Sequence, residues 1–292
     1  MHEITRDPIS GYTTTGHNWN GILELNSPVP KPVYFFIFVT HLYALVAWFL
    51  LPAWPLGDTY TKGLWGVDQK TTLEASLVKA NTARADWVQA FATDDFDTIR
   101  ANDELMARGR ATAATLFGDN CQACHGAGGK GGPGFPRLND DIWLWGGSAE
   151  EIATTIEVGI NSADPDTHFA QMPAFGRDGM LTRPQIAEMA DYVLTLSGGV
   201  KPGDTSDAAT LFQDNCSSCH GEDAKGVEGT GAPNLTDDDW IYGSNRDTIL
   251  ATLMNGRQGH MPTWKPRLSV SDIRMLALYV EGLHSAAAEA SQ

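Results

Sequence analysis

Basic residues are scarce. The 292-residue chain carries 20 lysines and arginines against 36 aspartates and glutamates, a formal net charge of −16, and the acidic excess lies almost entirely beyond the first fifty residues. Such a field repels nucleic acid, which is excluded as a partner, and suits a soluble partner with a basic face; plain solubility explains the charge equally well. Cysteine is scarcer still. Four are present, and none falls outside two Cys-x-x-Cys-His motifs: Cys121, Cys124 and His125, then Cys216, Cys219 and His220. No thiol is left over for a structural disulfide. Alternating strand patterns are few, so the chain reads as mostly helical. At this length a single core is not required, and two small domains with additions fit better.

Long apolar runs are also rare, with one exception. Val33 to Leu51, VYFFIFVTHLYALVAWFLL, contains no formal charge. A helix from Val33 to Trp54 would be about 33 Å long, against a hydrocarbon core of about 30 Å. Tyr34, Trp48 and Trp54 are candidate interfacial anchors. A cleaved signal peptide is the competing reading; the long preceding segment, the absence of an A-x-A site and the Pro52-Ala53-Trp54-Pro55 end argue for a retained anchor. His41 lies within the span, where polar groups are costly. A histidine satisfied by a neighbouring helix, or near an interface, is preferred over a haem ligand, because one histidine on one span makes no bis-histidine site.

The rest of the chain repeats itself. Leu116-Phe117-x-Asp119-Asn120-Cys121-x-x-Cys124-His125-Gly126 recurs as Leu211-Phe212-x-Asp214-Asn215-Cys216-x-x-Cys219-His220-Gly221. Gly134, Pro136, Leu138 and Trp143 are echoed by Gly231, Pro233, Leu235 and Trp240, and Met172-Pro173 by Met261-Pro262. Each copy closes with an apolar-faced helix. The first is announced by Thr182, Pro184 and Gln185, the second by Ser269 or Ser271. Residues 67 to 110 also read as helical. The expected segments are therefore 1–32, a span at 33–54, a helical spacer at 55–107, a domain at 108–199, a second at 200–285 and a tail at 286–292.

Two cysteines three apart on a helical turn can each form a thioether to a haem vinyl group, and the next histidine can then approach the iron from one face. A structural zinc site is the alternative, but paired zinc motifs usually lie about 15–20 residues apart, far closer than Cys124 and Cys216. The residues thus point to two covalently bound haem c groups. A soft thioether suits the opposite axial position. Met172 and Met261 qualify because they recur, each before a proline that favours an extended loop; the other methionines read as core filling. Own-domain pairing is the simplest assignment. The crossed one, Met261 to the first haem and Met172 to the second, would need closely interlocked domains. His168 and His260 are competing ligands near the methionines. Pro136, Leu138, Pro233 and Leu235 are candidates for the histidine side of each haem, and Trp143, Trp145, Trp240 and Arg257 for haem edges or propionates; ordinary core or surface roles suit these residues as well. Bacterial c-type haems are attached outside the cytoplasmic membrane, so motifs that follow the span place the N-terminus inside and both domains in the periplasm.

The order of a short first segment containing Gly21-Ile22-x-Glu24-Leu25-Asn26-x-Pro28-x-Pro30, one span ending in Pro52-Ala53-Trp54-Pro55, a helical spacer and two Cys-x-x-Cys-His domains resembles the di-haem subunit III of cbb3-type cytochrome c oxidase. The resemblance implies two tandem class-I-like cytochrome c domains. It implies the ligands Cys121, Cys124, His125 and Met172 in one and Cys216, Cys219, His220 and Met261 in the other. It further implies an electron relay with no catalytic residues of its own, anchored in the lipid bilayer of the bacterial inner membrane. Electrons would pass from a soluble or membrane-anchored cytochrome c to the mono-haem subunit II and the haem–copper subunit I, where the complex reduces oxygen and pumps protons. A free-standing membrane cytochrome, a cytochrome subunit of a periplasmic dehydrogenase and a di-haem peroxidase are the alternatives.

Overall fold

The computed structural model describes residues 4–198 and 207–290, without the side chains of 284–290. The chain divides after Ala83 into two compact units.

In the first unit a hairpin precedes the span. Strands β1 (Thr14–Trp19) and β2 (Ile22–Leu25) pair antiparallel around Asn20 and Gly21, whose φ values of 52° and 98° suit a two-residue hairpin turn. This hairpin was not anticipated, although the Asn-Gly dipeptide announces it. Helix α1 (Lys31–Leu50) follows, with Pro30 before it and Pro32 in its first turn, where a missing N–H costs nothing. It stops short of the expected end at Trp54. Leu51 precedes proline and is extended at φ −112° and ψ 161°, the conformation that a following proline ring favours. Twenty residues still span about 30 Å. The carbonyls of Phe49 and Leu50 accept the backbone N–H groups of Leu64 and Trp65 at 3.0 and 3.1 Å, which caps the helix end. There the Trp48 and Trp54 rings lie 4.9 Å apart. No side chain of α1 is buried by this chain, and the helix is long and apolar enough to cross a membrane. His41 is satisfied by its own helix, with Nδ1 2.7 Å from the Ile37 carbonyl oxygen.

Helix α2 (Gln69–Thr93) runs into the second unit, which continues with α3 (Phe96–Arg100), α4 (Asp103–Asn120), the single turn α5 (Gln122–His125), α6 (Ala149–Val158), α7 (Arg183–Ser197), α8 (Asp207–Asn215), the single turn α9 (Ser217–His220), α10 (Arg246–Asn255) and α11 (Val270–Ala290). The expected caps are present. Thr182 donates its N–H and hydroxyl to Gln185 at the start of α7, and Ser269 and Asp272 exchange hydrogen bonds at the start of α11. Ser148 with Glu151 forms the same device on α6.

Two cores result, and they are not the two sequence repeats. The first packs α4 and α6 against α11, with Phe117, Ile152, Ile156, Ile273, Leu276 and Val280 buried together. The second packs α8 and α10 against α7, through Phe212, Ile249, Leu253, Ile186, Met189 and Val193. Each closing helix therefore packs against the other copy, so that the two domains are interlocked. The physical reason is that the two closing helices present similar apolar stripes, and a stripe specifies burial without specifying which copy supplies the partner. The spacer is also shorter than expected, because Phe91, Phe96, Ile99 and Leu105 belong to the first core. The expected boundary at 199–200 lies outside the described residues. The tail expected from 286 begins within α11, whose backbone stays helical to Ala290.

Candidate functional site

Cys121 sits where α4 ends, its N–H bonded to the Phe117 carbonyl at 2.9 Å, and α5 then carries Cys124 and His125. Cys216 repeats this after α8, bonded to Phe212 at 2.8 Å, with Cys219 and His220 on α9. Cys124 and Cys219 are exposed and Cys121 and Cys216 half-buried, and none of the four forms a disulfide. Burial pushes the Cys121 and Cys216 thiols up to about 11.

Both histidines are oriented alike. His125 Nδ1 lies 3.1 Å from the Pro136 carbonyl and His220 Nδ1 3.0 Å from that of Pro233. A carbonyl can only accept, so Nδ1 carries the proton and Nε2 presents a lone pair. Burial holds both imidazoles below the usual histidine range, although the carbonyl bonds oppose the shift. Each is thus a neutral ring with a fixed tautomer, the form a metal requires.

The methionines come from the opposite copy. Met261 and Ile160 exchange two backbone hydrogen bonds of 2.9 Å, and Met261, like Cys121 and Leu138, packs against the first core. Met172 and Arg257 exchange two of 2.8 and 3.1 Å, and Met172, like Cys216 and Trp240, packs against the second core. Glycines permit these approaches: a Cβ on Gly159 would collide with the Met261 carbonyl, and one on Gly256 with that of Met172. Both glycines have φ near 70°, conformations that L side chains rarely adopt. Cys121 and Met261 thus share the first core and Cys216 and Met172 the second.

The competing histidines are otherwise engaged. His168 stacks on Trp145 at 4.3 Å and its Nε2 meets Thr155 Oγ1 at 3.2 Å, while His260 Nδ1 meets the Asn161 carbonyl at 2.9 Å. Trp143 packs on the first core, and Trp240 and Arg257 line a cavity of about 730 Å³ shared by the loops after the two Cys-x-x-Cys-His motifs. Arg257 lies over the Tyr242 ring at 4.4 Å and donates to Thr252. Asp140 and Asp237, equivalent in the repeat, enter the same cavity. Burial raises both carboxyls above the usual range, with nearby aspartates adding to the effect, and Asp237 Oδ2 is buried without a hydrogen-bond partner. The cavity is lined by Pro136 and Pro233, whose carbonyls hold the two histidines, and the nearby donor set of thiols, neutral imidazoles and thioethers fits haem c. Sequence reading missed Asn161, which joins the loops before both methionines; its position two residues after Gly159 was the available signal.

Three family models match the chain: the N-terminal domain of cytochrome oxidase-cbb3, FixP, over residues 11–58, cytochrome c over 111–197, and cytochrome C oxidase, cbb3-type, subunit III over 203–280. The chain is 43% identical over 292 residues to the cbb3-type cytochrome c oxidase subunit CcoP of Azospirillum sp. strain B510, covering 97% of this chain and 99% of that one. It is 44% identical over 279 residues to subunit FixP of Bradyrhizobium sp. strain ORS 278, covering 95% and 96%. It is 41% identical over 272 residues to subunit CcoP of Cereibacter sphaeroides, covering 92% and 94%.

Proposed function

Because this chain belongs to the cbb3-type cytochrome c oxidase subunit III family, we propose that it carries two covalent haem c groups on the outer face of the bacterial inner membrane. There it relays electrons from a periplasmic cytochrome c to the mono-haem subunit II and the haem–copper subunit I. That it is a membrane-anchored electron-transfer subunit of the oxidase complex, with cytochrome c domains that imply haem c, follows from the family and the N-terminal helix. Haem c, when bound, supplies a one-electron iron couple, and the remaining tasks fall to this chain's residues.

Cys121 and Cys124 would tether one haem and Cys216 and Cys219 the other. His125 and His220, held by the carbonyls of Pro136 and Pro233, would offer Nε2 to the irons. Met261 would supply sulfur to the haem held by His125, and Met172 to the one held by His220, so that ligation would be crossed between the copies. The single observation that carries this assignment is the exchange of closing helices, which seats Met261 in the core with Cys121 and Met172 in the core with Cys216. Thioether ligands favour ferrous iron and raise the potential, which suits an electron relay. With both a histidine and a methionine available to each haem, neither would leave a position open for oxygen or peroxide, so oxygen reduction would belong to another subunit and a peroxidase role is disfavoured.

The deciding experiment is purification through a tag on this chain. The proposal expects copper, b-type haem and two covalent haems per copy of this subunit in one oxygen-consuming complex. Covalent haem without copper or b-type haem would point to a free-standing cytochrome or a dehydrogenase subunit.

A further inference from the structure

We propose that Asn161 is a positioning residue that joins the two methionine-bearing loops, so that the axial sulfurs of both haems are held or released together; this rests on ligation by Met172 and Met261. The Asn161 amide donates from Nδ2 to the Ala170 carbonyl at 2.8 Å and to the Gly259 carbonyl at 2.7 Å, while Oδ1 accepts the Ala170 N–H at 3.2 Å. Ala170 and Gly259 each stand two residues before a methionine. The amide orientation is fixed by chemistry, since a flipped group would set its oxygen against two carbonyl oxygens.

The main chain of Asn161 is equally committed. Its N–H donates to the His168 carbonyl at 2.8 Å, and its carbonyl accepts from His260 Nδ1 at 2.9 Å. All of these bonds run to the segments leading into Met172 or Met261. The residue sits at φ 49°, a left-handed conformation that asparagine tolerates better than most residues.

The link is not a by-product of the repeat. Gly159-Ile160-Asn161 corresponds to Gly256-Arg257-Gln258, so the second copy has glutamine where the first has the bridging asparagine. The backbone pairs of Met261 with Ile160 and of Met172 with Arg257 each tie one methionine to one loop. Asn161 ties those two assemblies to each other. Loosening it should ease departure of either sulfur from its iron.

The test uses the full-length protein in the variants Asn161→Gly and Asn161→Asp. Glycine accepts the left-handed backbone without strain and removes only the amide. Aspartate also tolerates that backbone but turns a carboxylate oxygen toward the Ala170 and Gly259 carbonyls. Each is placed in Met172→His and Met261→His backgrounds, so that one methionine-ligated haem is followed at a time. Readouts are the ferric methionine–iron charge-transfer band and the rate at which the reduced protein captures carbon monoxide, which must wait for methionine to leave.

Both variants should accelerate capture about tenfold or more in both backgrounds, as expected for losing at least one net hydrogen bond, while still binding two haems. Unchanged rates, or acceleration in one background only, would overturn the coupling. If Asn161→Gly fails to mature, Asn161→Asp decides by the same criterion, and failure of both would mean that Asn161 serves folding instead. Absence of the charge-transfer band in the unmodified protein would defeat methionine ligation and the coupling with it. Its presence with unaltered variants defeats the coupling alone.

Discussion

Arg100 on α3 reaches Glu281 on α11 with three contacts of 2.8, 3.1 and 3.2 Å, and the same carboxylate accepts the Ala149 N–H at the start of α6 at 3.0 Å. One acid from the second copy's closing helix therefore fastens two elements of the first core, and its negative charge faces a helix N-terminus. The side chains are 34% and 29% exposed, so solvent weakens the pair. Glu281→Gln should cost about 1–2 kcal/mol, read from denaturant unfolding. Arg100→Gln should cost a similar amount, and the double variant less than the sum, because both remove one interaction. Additive losses would show that the two side chains act independently.

Crossed ligation makes an asymmetric prediction that own-copy ligation reverses. With Cys216 and Cys219 replaced by alanine, only the haem at Cys121 and Cys124 remains. In that background Met261→His should lower its potential while keeping it low-spin, and Met172→His should leave it close to unchanged. With Cys121 and Cys124 replaced instead, Met172→His should be the variant that acts. Redox titration of the four combinations decides, and the opposite pattern would restore own-copy ligation.

Gly159 and Gly256 offer a check on the same geometry that leaves the ligands in place. Alanine at Gly256 meets a left-handed backbone and the Met172 carbonyl, and alanine at Gly159 meets the Met261 carbonyl. Each should destabilise by at least about 1–2 kcal/mol. Gly256→Ala should weaken the charge-transfer band of the haem served by Met172 more than that of the other, and Gly159→Ala should do the reverse. A larger effect at the other haem in each variant would argue against these loop contacts.

The parts of this site that depend on adjacency were readable in the sequence. Cys-x-x-Cys-His needs only one turn of helix, the span needs only apolar length, and the caps at Thr182 and Ser269 need only three-residue spacing. The pairing of Met172 and Met261 depends on which closing helix fills which core, and α7 and α11 repeat the same pattern too closely for the pattern to choose. Asn161 was invisible for a related reason: its partners, Ala170 and Gly259, offer backbone carbonyls, which every residue has. The end of α1 at Leu50 was legible in Pro52, had the residue before proline been given its usual extended conformation.

The acids in the shared cavity give a pH dependence. Burial raises the Asp237 carboxyl in the folded chain, so the folded state holds a proton that the unfolded state has released. Stability therefore falls as pH rises from the ordinary aspartate value of 3.8 through the raised folded value, and the penalty is complete above it. Asp237→Asn removes the ionisation. It should stabilise the protein at neutral pH relative to the unmodified chain, with the advantage shrinking toward pH 4 and gone below it. Thermal melts of both proteins across that range test the sign, and an advantage that grew on acidification would contradict it.

The anchor and the proposed haem ligands occupy different parts of the chain, since α1 ends at Leu50 and every proposed ligand lies beyond Asn120. A chain beginning at Asp58, exported by a cleavable signal, loses the hairpin, α1 and the caps that Leu64 and Trp65 provide to α1, yet keeps α2 whole, so that Trp87 and Phe91 still reach the first core. Every proposed haem ligand lies downstream, and the fragment should mature with two covalent haems. It should take electrons from a small basic cytochrome at a rate that falls with ionic strength, since the acidic surface steers the approach and salt screens it. It should nevertheless support turnover poorly, because without α1 a tethered partner becomes a dilute one and any packing of the exposed α1 surface against the complex is lost. Oxygen consumption by membranes lacking this subunit, with the fragment added near the oxidase concentration, is the measurement. Full activity at that level would mean that the soluble part docks without its anchor, and a fragment lacking haem would mean that residues 1–57 contribute to folding of the second unit.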